Sequence, residues 1–275
     1  CRGFRALAFR DGDEVVLQSR SGKELGRYFP ELLDALRDEL ADRCVLDGEV
    51  VVPREIDGRV RLDWESLSQR IHPAESRVRM LAEQTPAHFI GFDSLATGDR
   101  SLLAEPFRVR REALIEAVNA KQWCHVTRTT TDPELGAQWL QTFEGAGLDG
   151  VIAKKLDGPY LPGKREMVKV KHHRDADCVA IGYRLHKSGP DAVGSLLLGL
   201  YTDDGELASV GVIGAFSMER RRQLFTELQP LITSFENHPW NWAEQVAADP
   251  DLARRYGGGS RWNAGKDLSF VPLRP

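Results

Sequence analysis

The first twenty residues constrain the fold most. Ala6 to Arg10 and Glu14 to Ser19 both alternate between apolar and polar residues, and only Asp11-Gly12-Asp13 separates them. Alternation of period two places one strand face on a core and the other in solvent. A short Asp/Gly link closes two such strands into a hairpin. A hairpin alone is marginal in water, so more strands must follow. Cys44 to Val52 supplies one, read as broken at Asp47-Gly48, and His88 to Leu95 supplies a buried one. Gln122 to Arg128, Gly150 to Lys155 and Met167 to His172 are three more. Helical periodicity predicts helices over 29–40, with Pro30 in the first turn, and over 63–71, 75–83, 106–118 and 132–144.

After about Asp175 the texture changes. Val179 to Leu185, Ser195 to Tyr201 and Leu207 to Val212 are short strands separated by turns such as Asp203-Asp204-Gly205. Ser217 caps a helix that runs to about Leu228, and the tail with Gly257-Gly258-Gly259 reads as loop. This pattern fits a small β-barrel carrying one helix. A chain of 275 residues accommodates two such domains.

Several function classes drop out. No apolar run approaches the roughly 18 residues that a membrane span needs. The four cysteines, Cys1, Cys44, Cys124 and Cys178, show no zinc spacing and read as buried reduced thiols. The net charge of −4 does not advertise a polyanion binder. Its distribution does, since 150–174 holds seven Lys/Arg against two acids while 236–253 holds four acids and no Lys or Arg.

Some short runs carry chemistry. In Met167-Val-Lys-Val-Lys171, Lys169 and Lys171 share a strand face while Val168 and Val170 are expected to point into the core. The two ammonium groups make either a phosphate clamp or a solvated face. Asp149 precedes a strand that ends near Lys154, and Leu46-Asp47-Gly48-Glu49 is read as acids around a tight turn. Carboxylates so placed suit Mg²⁺, which takes one or two of them plus water and phosphate oxygens. Phe92, beside Asp93, is either a core residue or a stacking platform for a base. Ser19-Arg20-Ser21-Gly22-Lys23, then Arg27, offers cations on an open backbone, and Gly3-Phe4-Arg5 stands just before the hairpin.

In this order and spacing the runs resemble the motif series of the covalent nucleotidyltransferases, which comprise DNA ligases, RNA ligases and mRNA capping enzymes. The likeness is nearest to bacterial ATP-dependent DNA ligases of the C type. Arg27-Tyr-Phe-Pro-Glu-Leu32, Gln69-Arg-Ile-His-Pro-Ala-Glu-Ser-Arg77, Leu156-Asp-Gly-Pro-Tyr160, Val168-Lys-Val-Lys-His-His-Arg174 and Gly265-Lys-Asp-Leu-Ser269 add to it. The resemblance implies an α+β fold: an adenylation domain with antiparallel sheets and helices over 1–175, then an OB-fold domain over 176–275, each lacking part of its outer end. It implies ATP, with AMP as covalent intermediate, and Mg²⁺ or Mn²⁺. Phe92 would stack on adenine, Glu49 and Asp149 would serve metal and ribose, and Lys169 and Lys171 would hold the α-phosphate. Lys154 is assigned loosely to phosphate. Arg5 would contact the nucleotide or the nick phosphate, and Arg20, Lys23 and Arg27 would bind DNA. The opening motif of the family, Lys-x-Asp-Gly-x-Arg, matches Gly3 and Arg5, has Arg2 in place of Asp, and puts the reactive lysine directly before Cys1. The fourth motif begins with Asp149 rather than Glu, and the last basic motif is not visible.

A stand-alone monomer in the bacterial cytoplasm, associated with the nucleoid, is expected. It would act on nicked duplex DNA in repair, beside polymerase or nuclease partners, with a hinge near 173–177. The competing readings are an RNA ligase or capping-type enzyme, and a non-catalytic nucleic-acid-binding module with a decayed pocket.

Overall fold

The computed structural model describes residues 3–143, 146–164, 166–172, 175–236, 238–241 and 269–275. Cys1, Arg2, the tri-glycine of the tail and all but Ser269 of the Gly265–Ser269 run lie outside them. The chain divides into two compact units, Cys1–His173 and Arg174–Pro275.

The first unit is built on one twisted sheet. Its strands are β1 (Phe4–Asp11), β2 (Glu14–Ser19), β3 (Arg43–Val51), β6 (His88–Thr97) and β7 (Arg100–Ser101), in the order β2-β1-β3-β6-β7. All of these pair antiparallel, and β8 (Cys124–Val126) adds to β6 in parallel. The β1–β2 turn is Gly12-Asp13, with Gly12 at φ 61° as such a turn requires. Helix α1 (Pro30–Glu39) starts on its proline and buries Leu32, Ala35 and Leu36. Its side chains meet Ala6, Ala8, Leu17, Leu46 and Val50 in the main core. Glu39, at its end, accepts hydrogen bonds from the backbone N–H groups of residues 121–124 and so fixes the entry to β8.

The other elements of this unit are β4 (Pro53–Ile56), β5 (Arg59–Leu62), α2 (Trp64–Gln69), α3 (Glu75–Gln84), α4 (Phe107–Ala117), α5 (Pro133–Thr142), β9 (Val151–Ala153) and β10 (Val168–Val170). The β4–β5 hairpin, which the sequence reading passed over, turns on Asp57-Gly58 at φ 53° and 70°. In the second unit, β11 (Val179–Leu185), β12 (Val193–Tyr201), β13 (Leu207–Ile213) and β14 (Val271–Pro272) form a sheet in the order β13-β12-β11-β14. Ser217 caps α6 (Met218–Leu228) by accepting from the Arg220 N–H, and Leu224 and Leu228 pack on Tyr183 and Val193.

Three expectations need correction. Asp47-Gly48 is no turn and does not break its strand, because β3 runs straight through it. Gly48 is there for a non-local reason: a Cβ would lie 2.3 Å from the Phe89 ring. Val168 and Val170 do not enter a core. They are 62 % and 43 % exposed, since β9 and β10 form a separate two-stranded ribbon whose apolar side has no covering layer among the described residues. Of the described cysteines, Cys44 and Cys124 are buried free thiols but Cys178 is only half-buried.

Gly48→Ala should therefore destabilise the first unit. Neither the Phe89 ring nor the Ile90 carbonyl, 2.7 Å from the added carbon, can move away freely. A loss of about 1–3 kcal/mol is expected from such overpacking. Urea denaturation followed by Trp fluorescence measures it, and an unchanged midpoint would remove the steric account of this glycine.

Candidate active site

The sheet has two faces with different work. In the β1–β3 ladder Arg5 lies opposite Glu49 and Leu7 opposite Asp47. Opposed residues share a face. Arg5, Asp47 and Glu49 therefore stand together, while Ala6, Ala8, Leu46 and Val50 fill the core on the other side. In the β3–β6 ladder Ile90 faces Glu49, Gly91 faces Gly48 and Asp93 faces Asp47, which leaves Phe92 without a partner. Phe92 is the extra residue of a β-bulge. Its half-buried ring has the Arg5 guanidinium 5.6 Å and the Lys154 ammonium 5.2 Å from its centre.

Asp47 and Asp93 are both buried and lie directly across from each other. Two such carboxylates need counter-charges. Arg5 forks onto Asp47 through Nε at 3.0 Å and Nη2 at 2.5 Å. The Tyr160 hydroxyl donates to the same carboxylate at 2.8 Å and accepts from Arg5 at 3.1 Å. Burial, then Asp47, pushes the Tyr160 phenol up to about 12, so it stays a donor at neutral pH. The hydrogen bond to Asp47 raises Arg5 in turn. Asp93 receives Arg110 Nε at 2.8 Å and Lys154 Nζ at 3.1 Å. Arg110 also donates to the carbonyls of Glu105 and Gly158, and so ties the 156–160 loop to α4 and β6.

Glu49 is half-buried, and burial raises its carboxyl above the usual range, with the Asp149 charge adding to this. The Gly3 N–H donates to it, and any side chain at Gly3 would collide with the Glu49 Cγ at 2.5 Å. Asp149 pairs with Lys169 at 2.7 Å. Burial would raise Asp149, but the Lys169 ammonium helps to hold it below the usual carboxylate range. Gly150, at φ 156°, lets the chain enter β9 close beside β10, since a Cβ there would sit 2.2 Å from the Val170 carbonyl oxygen.

Arg5, Glu49, Phe92 and Lys154 thus come together, and the Asp149–Lys169 pair acts electrostatically on Glu49. Lys154, read as a phosphate group, is committed to Asp93, and burial lowers its pKa. Lys171 is exposed just past the end of β10. Arg20, Lys23 and Arg27 are exposed and lie outside this bonded network. Among the described residues the side chains of Arg20 and Lys23 make no hydrogen bond or ion pair, and Arg27 stacks on Tyr28 at 4.8 Å. Arg27 projects from a 3₁₀ turn, Gly26–Tyr28, held by the fully buried Arg70, which donates to the Tyr28 carbonyl and forks onto Glu31.

The sequence offers Asp47, with Glu49, as an acid suited to Mg²⁺, and names Asp93 and Tyr160 within motifs without a role; Asp47 is instead buried and committed to Arg5 and Tyr160. Sequence reasoning missed Arg110 altogether. The signal was available: Phe107, Arg110, Leu114 and Ala117 are the buried residues of α4, and an arginine on that stripe calls for a buried anion. Among the described residues no cluster of three or more His, Cys, Asp or Glu is poised to hold a metal. Glu49 beside Asp149 still fits a divalent cation that takes its other ligands from phosphate and water.

Residues 1–171 match the family model described as the ATP dependent DNA ligase domain. The chain is 71 % identical over 273 residues to DNA ligase C1 of Mycolicibacterium smegmatis, covering 99 % of this chain and 73 % of that protein. It is 59 % identical over 278 residues to DNA ligase C of Mycobacterium tuberculosis, covering 99 % and 76 %. Among solved structures, a Lig E DNA ligase studied for DNA binding with a minimal scaffold superposes with a TM-score of 0.55 at 19 % identity, over 81 % of this chain and 78 % of that one, a likeness of fold.

The Asp47 cluster predicts coupled energetics. Tyr160→Phe removes one donor from a buried carboxylate and should cost about 1–3 kcal/mol. Arg5→Ala removes its counter-ion. Because both act on one group, a double-mutant cycle read by thermal denaturation should show a coupling of at least about 0.5 kcal/mol. Strict additivity would contradict the shared-carboxylate arrangement.

Proposed function

The chain belongs to the ATP-dependent DNA ligases, and on that premise we propose that the Arg5–Glu49–Phe92 face is where it takes up the adenylate and hands it to nicked DNA. The observation that carries this reading is the bulge at Phe92, which presents a half-buried aromatic ring beside two cations. Such a ring accepts a base by stacking, a contact worth about 1–3 kcal/mol.

In this reading the amine of the family's reactive lysine would attack the α-phosphorus of ATP. The P–N bond forms as the bond to pyrophosphate breaks, and the amine proton leaves. AMP then passes to the 5′-phosphate at the nick, and the neighbouring 3′-hydroxyl displaces it. A lysine, with an unperturbed pKa of about 10.4, is protonated at neutral pH and must lose that proton to attack. Nearby cations favour the neutral amine, and Lys169 and Lys171 would supply them together with charge for the α-phosphate. Lys169 must then exchange Asp149 for phosphate. Arg5, already forked onto Asp47, would reach the nucleotide or nick phosphate with no cost of ordering. Glu49 would serve the ribose and, with Asp149, Mg²⁺ or Mn²⁺. When bound, such a cation screens phosphate charge and polarises the α-phosphate. Arg20, Lys23 and Arg27 would grip the DNA backbone. The second unit would be an OB-fold domain, for which its antiparallel sheet with one helix is the support. Nick sealing in DNA repair is the role that this set of residues serves in our reading.

Full-length protein incubated with α-labelled ATP and Mg²⁺ should retain AMP after denaturation, and absence of label would sink the adenylation reading. Phe92→Ala should fold and raise the ATP concentration needed for half-maximal labelling by about 5- to 150-fold, the equivalent of one lost stacking contact. Unchanged ATP dependence would remove Phe92 from the nucleotide site.

A further inference from the structure

The β4–β5 hairpin belongs to no motif and to no part of the site described above. It has Arg54 opposite Arg61 and Ile56 opposite Arg59 in its register, so all four share one face. Glu55 and Val60 oppose each other on the other face, and Asp57 is at the turn. Three arginines and no acid thus occupy one side of a ribbon in a chain of net charge −4. Like charges directly across a ladder are unfavourable unless something neutralises them. Among the described residues only one of the three is answered: Arg54 donates to Asp63 and to the Ser66 hydroxyl, both at 3.1 Å. The Arg61 Nε is buried with no hydrogen-bond partner, and Arg59, exposed, makes no hydrogen bond or ion pair among the described residues.

The position of the hairpin matters as much as its charge. It leaves β3 only a few residues after Glu49, and the Asp63 N–H closes its base on the Val52 carbonyl at 2.8 Å. Trp64, which follows β5, packs edge-on against Phe4 at 5.4 Å, next to Arg5. The turn is formed by two left-handed residues, Asp57 and Gly58, a geometry that holds a two-residue hairpin in register. Four residues per strand give a reach of about 13 Å at 3.3 Å per residue. Val60 and Ile56 remain exposed along it.

We propose that the arginine face of this hairpin is a contact for the phosphate backbone of duplex DNA flanking the nick. Guanidinium groups fork onto phosphate, and a regular row of them matches a polyanion without reading its sequence. Arg59 and Arg61 are the contacting residues, and Arg54 is held by Asp63 as the inner end of the row. The assignment rests on the ligase reading for its partner, but its test separates the two.

The experiment measures binding of the full-length protein to a nicked duplex by fluorescence anisotropy between 50 and 200 mM salt, alongside AMP labelling of the same preparations. Arg59→Ala should reduce the log–log salt slope by about 0.9, and the Arg59→Ala/Arg61→Ala pair by about 1.8. Arg59→Glu should weaken binding further at low salt. AMP labelling should stay at the wild-type level in all three, which shows that the fold and nucleotide site are intact. Glu55→Gln, on the opposite face, should leave the slope unchanged. Wild-type slopes in the arginine variants, with labelling intact, would overturn the hairpin contact alone. Failure of the wild-type protein to label would overturn the ligase reading instead.

Discussion

Two aspartates face each other across adjacent strands in the interior, and the architecture around the site follows from that. Asp47 and Asp93 are Cα partners, and both are buried. Leaving either unpaired in such surroundings costs about 3–5 kcal/mol. Of the sheet's cations Arg5 is the one bonded to them. The other partners come from elsewhere: Tyr160 and Lys154 from the segment after β9, and Arg110 from α4. The electrostatic need of two strands thereby fastens a helix and a distant loop. Arg110 does this twice over, since it neutralises Asp93 and also holds the Gly158 carbonyl.

Elements whose cause is local were legible. The opening hairpin, α1 with its proline and α6 with its serine cap all follow from residues a few positions apart. Where the cause is distant, reading failed. Asp47-Gly48 has the composition of a turn, yet glycine is there to make room for the ring of Phe89, which no local rule discloses. Val168 and Val170 alternate as a half-buried strand should, but alternation does not say whether a covering layer exists. The β4–β5 hairpin was overlooked because its alternation is of arginine rather than of apolar residues, although Asp57-Gly58 is a turn signal.

The candidate site divides the same way. The residues expected to touch a ligand, Arg5, Glu49, Phe92, Asp149, Lys154, Lys169 and Lys171, sit in short, ordered runs that the motif resemblance singles out. The partners that hold them do not. Lys154 shows the limit: a lysine after a strand reads as a phosphate group, but its ammonium lies between the Phe92 and Phe107 rings and on Asp93. It acts on the platform from beneath, by fixing the carboxylate next in sequence to Phe92.

That adjacency explains the bulge. In a regular strand, neighbouring residues point to opposite faces. If β6 were regular from Ile90, which faces Glu49, then Asp93 would turn toward the side occupied by Leu46 and Val50, and a charge would enter the apolar core. The extra residue shifts the register by one, so Asp93 lies beside Asp47 and the Phe92 ring still sits within reach of Arg5. A carboxylate that anchors the scaffold and an aromatic that faces the ligand can be consecutive only because the strand is irregular between them. The irregularity in turn is tolerable because Gly91 and Gly48, opposed across the ladder just before it, carry no side chains to crowd the kink.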